Sequence, residues 1–249
     1  MNNTYSFKDD LIKSINIAKE TKGEYTIFFN PLFSKGIKFY FTTSSIDWVL
    51  RYKKLRLNDF LNQKIKLKID VEDSLFFFIY YFYNFIIGDI WHLNKYITGK
   101  YKNILNIGAG ICLFEIYLDQ INKNIESFYV IEKNDLDHNK EFINVLDLAK
   151  DTINANKLEN KFNFFNTINY KEIRNNFDLV VSLRSWCYLY DIETYLSFVL
   201  DSINSESTLI VDIRNKYDEK KLTKQFKDVK ILTKYTDHNR FMLRKFINN

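Results

Sequence analysis

The chain has 249 residues, 46% of them hydrophobic and 17% aromatic, with a formal net charge of +5. That length can bury a sizeable core as one large domain or a domain with a cap, and the charge is smaller than a dedicated nucleic-acid footprint usually carries. Two cysteines, Cys112 and Cys187, exclude a disulfide framework and fit a reducing cytoplasm. The Cys and His spacing suggests no metal site, and the polar start MNNTYSFKDD does not read as a signal peptide.

The positive excess is uneven. Residues 1–98 hold 14 Lys and Arg against 10 Asp and Glu, and the remainder is nearly balanced at 22 against 21. An anionic substrate drawn to the N-terminal part explains this better than a nucleic acid does.

Ser6-Phe7-Lys8-Asp9 resembles a helix start ahead of Leu11, Ile12, Ile15 and Ala18, and that helix should close near Gly23. Tyr25–Phe33 and Ile37–Thr43 are β-prone runs joined by Ser34-Lys35-Gly36, a hairpin signal. Ile37, Phe39 and Phe41 alternate with polar or amphipathic residues, so one face is buried. Ser45-Ile46-Asp47 opens a second helix. From Arg51 to Lys68 seven basic residues meet one acid, Asp59. Within that stretch Lys64–Lys68 alternates with Ile65 and Leu67 and predicts a charged edge strand. Leu75–Ile87 is the most apolar run, but its 13 residues fall short of the ~20 needed to span a bilayer. It reads as a buried helix that bends or ends at Gly88-Asp89. Ile90-Trp91-His92-Leu93 follows, and Gly99 marks a boundary between an N-terminal α+β cap (1–98) and a second domain (99–249).

The second domain alternates regularly. Asn103–Ile107, Ser127–Ile131, Phe162–Phe165, Phe177–Ser182 and Thr208–Ile213 read as apolar strands. Helical patterns follow at Leu113–Leu118, Phe142–Ile153, Asp191–Ile203 and Asp218–Phe226. The strands Val229–Tyr235 and Arg240–Phe246 are joined by only Thr236-Asp237-His238-Asn239, so they must pair antiparallel. The fold class is therefore α/β: a Rossmann-like, mostly parallel sheet with a C-terminal antiparallel pair.

An open parallel sheet binds ligands beyond the carboxyl ends of its strands. The first such end carries Gly108-Ala109-Gly110, two of only six glycines in the chain. A dinucleotide fingerprint wants a third glycine where Leu113 stands, which weakens a nicotinamide dehydrogenase. Small residues at alternate positions, Gly108, Gly110 and Cys112, resemble instead the first motif of class I S-adenosylmethionine-dependent methyltransferases, although Asn106 replaces the acid more usual at that strand end. From about Tyr101 to Phe246 the order of elements is similar to that family. The resemblance implies S-adenosylmethionine as cofactor, with Gly108, Ala109 and Gly110 against its methionine end and Glu132 on its ribose hydroxyls. Lys133 and Asn166 would approach its adenine, and Ser182, Leu183 and Arg184 would lie beside it. Adenine- and glutamine-modifying members carry an Asn/Asp-Pro-Pro-aromatic motif after the fourth strand; this chain has SLRSWCY there and its only proline at Pro31.

A hydroxyl acceptor benefits from a base. His92 is the first candidate, with Asp191 and Tyr188 as rivals and Tyr190, Asp212, His138 and His238 also in view. Arg184 could clamp an anionic group, and Trp186 and Trp91 could wall an acceptor. The length, the aromatic SWCYLY loop and the cap are similar to bacterial methyltransferases that modify sugars of surface polysaccharides. A small sugar, sugar-nucleotide or phosphorylated acceptor is expected, in the cytoplasm. Alternatives are an RNA-modifying or RNA-binding protein using Arg51–Lys68, and a catalytically silent partner subunit whose exposed aromatics form an interface; for any of these a homo-oligomer is left open.

Overall fold

The computed structural model describes residues 7–21, 24–27, 36–52, 62, 64–85, 89–97, 101–133 and 144–247. Gly23, Ser34, Lys35, Asp59, Gly88, Gly99, His138, most of the basic stretch after Arg51 and the side chain of Trp91 lie outside the described residues. The chain divides into two compact units: Met1–Ile97 with Asp151–Lys157, and Thr98–Lys150 with Leu158–Asn249. The segment Asp151–Lys157 thus joins the first unit, where the sequence reading puts it in the second.

In the first unit, α1 (Phe7–Glu20) precedes an antiparallel pair, β1 (Glu24–Ile27) and β2 (Ile37–Tyr40), in which Ile27 faces Ile37. Helices α2 (Thr43–Tyr52) and α3 (Asp73–Phe85) follow. Thr42 starts α2 by accepting from the Ser45 amide at 3.2 Å. Ile37, Phe39 and Phe41 are buried, as their alternation predicts. They meet the apolar run of α3, where Phe41 packs 5.2 Å from Phe78 and 4.6 Å from Phe82 between ring centroids. No helix among the described residues is long and apolar enough to cross a membrane.

One expected element is overturned here. Residues 64–67 are helical, not an edge strand. Lys68 takes φ 54°, and the Lys68 and Ile69 amides return to the carbonyls of Ile65 and Lys64. That is a Schellman ending, which satisfies helix carbonyls locally. Lys64 also pairs with Asp73, so the lysine alternation serves a helical turn instead of a strand edge.

The second unit is built on a seven-stranded sheet in the order β5-β4-β3-β6-β7-β9-β8. Its strands are β3 (Asn103–Ile107), β4 (Ser127–Ile131), β5 (Phe162–Phe165), β6 (Leu179–Ser182), β7 (Thr208–Ile213), β8 (Phe226–Lys234) and β9 (Asn239–Phe246). The first five run parallel, and β9 enters antiparallel between β7 and β8. Central strands β6 and β7 are buried at every position, as strands covered on both faces must be. The helices are α4 (Leu113–Ile121), α5 (Val145–Ala155, whose residues from Asp151 on belong to the first unit), α6 (Leu196–Asp201) and α7 (Lys216–Thr223). The expected helix Asp191–Ile203 is broken, with a 3₁₀ turn at Ile192–Thr194 ahead of α6. The polar helix begins at Lys216, because Asn215 caps it by accepting from the Asp218 amide. Strand order reverses between β3 and β6, the place in an open sheet of this kind where ligands bind beyond the carboxyl ends of the strands.

Candidate active site

The loop after β3 turns on backbone few residues adopt. Gly108, Gly110 and Cys112 have φ of 78°, 57° and 61°. The two glycines do different work. A Cβ on Gly110 would meet nothing within 4 Å, so this position faces open space. A Cβ on Gly108 would lie 1.9 Å from Ser185 Oγ and 2.3 Å from Ser185 Cβ. Gly108 therefore admits the loop after β6, and the space expected above it for a ligand is filled by Ser185.

That second loop is pinned at both ends. Ser182 Oγ donates to the Ile107 carbonyl at 2.9 Å and accepts from the Trp186 amide at 2.8 Å. The amides of Tyr188, Leu189 and Tyr190 converge on the Ser185 carbonyl. Ser182 is buried and works as a brace between the two loops. Trp186 is a correction to the sequence reading: it is fully buried in the core and its indole N–H donates to the Ile192 carbonyl, so it walls nothing exposed. Leu183 is half-buried, and Arg184 is exposed at φ 56°.

Glu132 follows β4 and turns back to the glycine loop. One carboxylate oxygen accepts from the Gly110 amide at 2.7 Å and the other from the Lys133 amide at 2.8 Å. Burial raises its pKa, and the two backbone donors oppose the shift. Each oxygen holds one bond and keeps further acceptor capacity. A carboxylate with spare lone pairs beside an open, Cβ-free position fits the ribose diol of S-adenosylmethionine. Ala109 and Lys133 are half-buried beside it. Asn166 after β5 spends its side-chain oxygen on the Ile168 and Asn169 amides, forming a local turn.

A second polar cluster lies at the carboxyl ends of β6 and β7 and in the β8–β9 turn. Asp212 and Arg240 face each other across the β7–β9 pair and are fully buried. Their two bonds measure 2.7 and 2.8 Å. Burial alone would raise the Asp212 pKa, but Arg240 and His238 outweigh it and hold the carboxyl low. Asp212 also accepts from the Arg184 amide at 3.1 Å. The buried His238 ring sits between two carboxylates, with Nδ1 2.8 Å from Asp237 and Nε2 3.5 Å from Asp212. Burial works against its charge, yet the two acids raise its pKa. Asp237 is lowered to about 2 by the Tyr188 hydroxyl and His238, and the 2.6 Å bond to Asp237 raises the Tyr188 phenol. The Tyr188 phenol is thus held as a hydrogen-bond donor. The Arg184 guanidinium lies 5.8 Å over the Tyr235 ring, and that of Arg214 lies 5.4 Å over Tyr188.

The remaining candidates fall elsewhere. Asp191 is exposed at the start of the 3₁₀ turn, and Tyr190 is half-buried. His92 is half-buried in the turn Trp91–Leu93 of the first unit. An open cleft of about 820 Å³ is lined by Tyr170, Arg174, Glu193 and Phe198 among others, and no expected site residue lines it. Among the described residues, no group of three or more His, Cys, Asp or Glu could hold a metal. Sequence reasoning missed Ser185 and the Asp212–Arg240 pair. An arginine within the apolar run RFMLRKF, opposite the aspartate of TLIVDI, was the available signal.

No family model and no curated protein matches the sequence. Several solved structures align with the chain. A Staphylococcus aureus protein provisionally named a caffeoyl-CoA O-methyltransferase aligns at 12% identity and a TM-score of 0.46, over 80% of this chain and 98% of its own. The mitomycin 7-O-methyltransferase MmcR aligns at 10% and 0.48, over 76% and 60%. The B. subtilis tRNA methyltransferase TrmK aligns at 13% and 0.45, over 62% and 63%. Likeness at this level adds nothing to what the strand order itself shows.

Proposed function

We propose that the chain is an S-adenosylmethionine-dependent O-methyltransferase acting on a small hydroxylated, anionic acceptor. A sugar, sugar-nucleotide or phosphorylated precursor of a surface polysaccharide is the class envisaged. One observation carries the reading: beside the point where strand order reverses, the Glu132 carboxylate is anchored to the Gly110 amide next to open space. A carboxylate so placed grips a ribose diol, and the bare backbone lets the nucleoside's tail lie close.

When bound, the cofactor supplies a methyl group on a positively charged sulfur. The protein's part is then to hold an acceptor oxygen in line and to handle its proton. Glu132 fixes the ribose, Gly110 and Ala109 accommodate the methionine end, and Lys133 and Asn166 lie toward the adenine. Arg184 and Arg214, each laid over a tyrosine face, draw the acceptor's anionic group. Tyr188, whose one proton goes to Asp237, is left to accept a hydrogen bond from the acceptor hydroxyl, and Asp191 is the candidate base.

The test is calorimetric titration of the purified chain with S-adenosylmethionine. The wild type binds, and Glu132→Ala weakens binding by about 10- to 100-fold, the worth of lost hydrogen bonds to a charged group. A wild-type chain that does not bind the cofactor ends this reading.

A further inference from the structure

Glu115, in the first turn of α4, is fully buried, and so nearly is Asn106 on β3. The Asn106 amide nitrogen donates to one Glu115 carboxyl oxygen. The other carboxyl oxygen, Oε2, and the Asn106 amide oxygen, Oδ1, are both buried and have no hydrogen-bond partner. Both are acceptors if Glu115 is ionised, and two orphaned acceptors within one buried pair are costly. One proton removes the difficulty. A carboxylic acid and a primary amide are complementary: the amide N–H donates to one carboxyl oxygen while the acid O–H donates to the amide oxygen.

We propose that Glu115 is held as a neutral acid and closes a two-bond acid–amide ring with Asn106, acting as a positioning residue for the glycine turn. Asn106 stands two residues before Gly108, and Glu115 stands five after Gly110. The ring therefore clasps the two ends of the loop that reaches Glu132.

The surrounding groups agree on where the proton sits. Glu132, facing from the end of β4, takes two backbone N–H bonds that favour its ionised form, whereas Glu115 has one neutral amide donor outside its own backbone. Two acids close enough to interact do not both ionise readily, so the charge goes to Glu132 and the proton to Glu115. Cys112 in the turn is kept a thiol by burial and adds no charge. One turn along α4, Asp119 is held by Lys161 and Lys123. Burial, with the Glu132 charge, raises the Glu115 pKa from 4.5 to about 7.

The linkage sign follows. Between about pH 4.5 and 7 the unfolded chain loses this proton and the folded chain keeps it, so wild-type stability falls with pH across that window and levels off above it. Glu115→Gln presents the same donor and acceptor without ionising. Its melting temperature relative to wild type should rise across that window and then stay flat. In the infrared, wild type should show a protonated-carboxyl band that Glu115→Gln lacks and that fades as pH passes about 7. Glu115→Leu, which cannot form the ring, should lose stability that Glu115→Gln retains. A pH-independent difference between wild type and Glu115→Gln, or no such band in the wild type at pH 6, overturns the proposal. If Glu115→Gln does not fold, the wild-type band decides alone. One readout rests on the proposed function: wild-type affinity for S-adenosylmethionine should fall up to tenfold per pH unit above about 7, with Glu115→Gln flat. Failure to bind the cofactor at any pH refutes that function and leaves the infrared and stability results to judge Glu115.

Discussion

Asp212 and Arg240 show what one cross-strand pair does for the site. The guanidinium is fully buried, and the carboxylate accepts two short bonds from it while also accepting the Arg184 amide. Asp212→Asn keeps the shape but leaves a buried cation without its counter-charge, which should cost about 3–5 kcal/mol in denaturant unfolding. The double change Asp212→Leu with Arg240→Met removes both charges and should recover most of that loss, because a buried pair seldom outperforms apolar packing of similar volume. If the double variant were no more stable than the single, the pair would owe its role to something other than mutual neutralisation. At this scale the sequence was readable wherever a residue acts through its position. Glu132 follows a strand end, and it does turn to the glycine loop. Residues that act through a distant partner were not readable. Ser185 matters because it fills the space over Gly108, which no local pattern announces.

Elements were most legible where burial dictates the pattern. Asn103–Ile107, Ser127–Ile131, Phe162–Phe165 and Thr208–Ile213 fall as expected: Thr208–Ile213 is buried at every position, and the edge strand Phe162–Phe165, with Asn163 exposed, is still marked by its aromatic residues. Residues 64–67 misled because a five-residue alternation fits a strand as well as a short helix whose capping was invisible. The loops after β3 and β6 lie between these cases. The glycines marked a turn, but not that the loop after β6 closes onto it. Gly108→Ala tests that closure. Its φ of 78° is strained for alanine, and the new Cβ would collide with both Ser185 Oγ and Cβ, so rotating the hydroxyl away brings no relief. The variant should lose about 1–3 kcal/mol of stability. Adding Ser185→Gly should return the part due to collision and leave the part due to φ. Equal stability of single and double variants would mean that Ser185 yields without cost.

For the whole molecule, the two units interleave along the chain. A domain boundary near residue 98 is visible in the sequence, but the return of Asp151–Lys157 to the first unit is not. The reason is chemical: the link is made by polar side chains at and just past the end of a helix that reads as an ordinary amphipathic one. Asn156 bonds both backbone groups of Tyr40, at 3.1 and 2.8 Å, and thereby completes the hydrogen bonding of a short strand. Thr152 meets the buried Ser45 hydroxyl at 2.8 Å, and Ser45 in turn meets Thr42 at 3.0 Å. A fragment starting at Thr98 therefore keeps the whole seven-stranded sheet but strips Thr152 and Asn156 of these partners. Its sheet should form, while the end of α5 loses what anchors it. Hydrogen exchange read by mass spectrometry should show residues 152–156 exchanging much faster in the fragment than in the full chain, with β3, β6 and β7 protected in both. Equal protection of that helix end would mean that α5 is held by its own unit, and that residues 1–97 can be removed without disturbing the fold that carries Glu132.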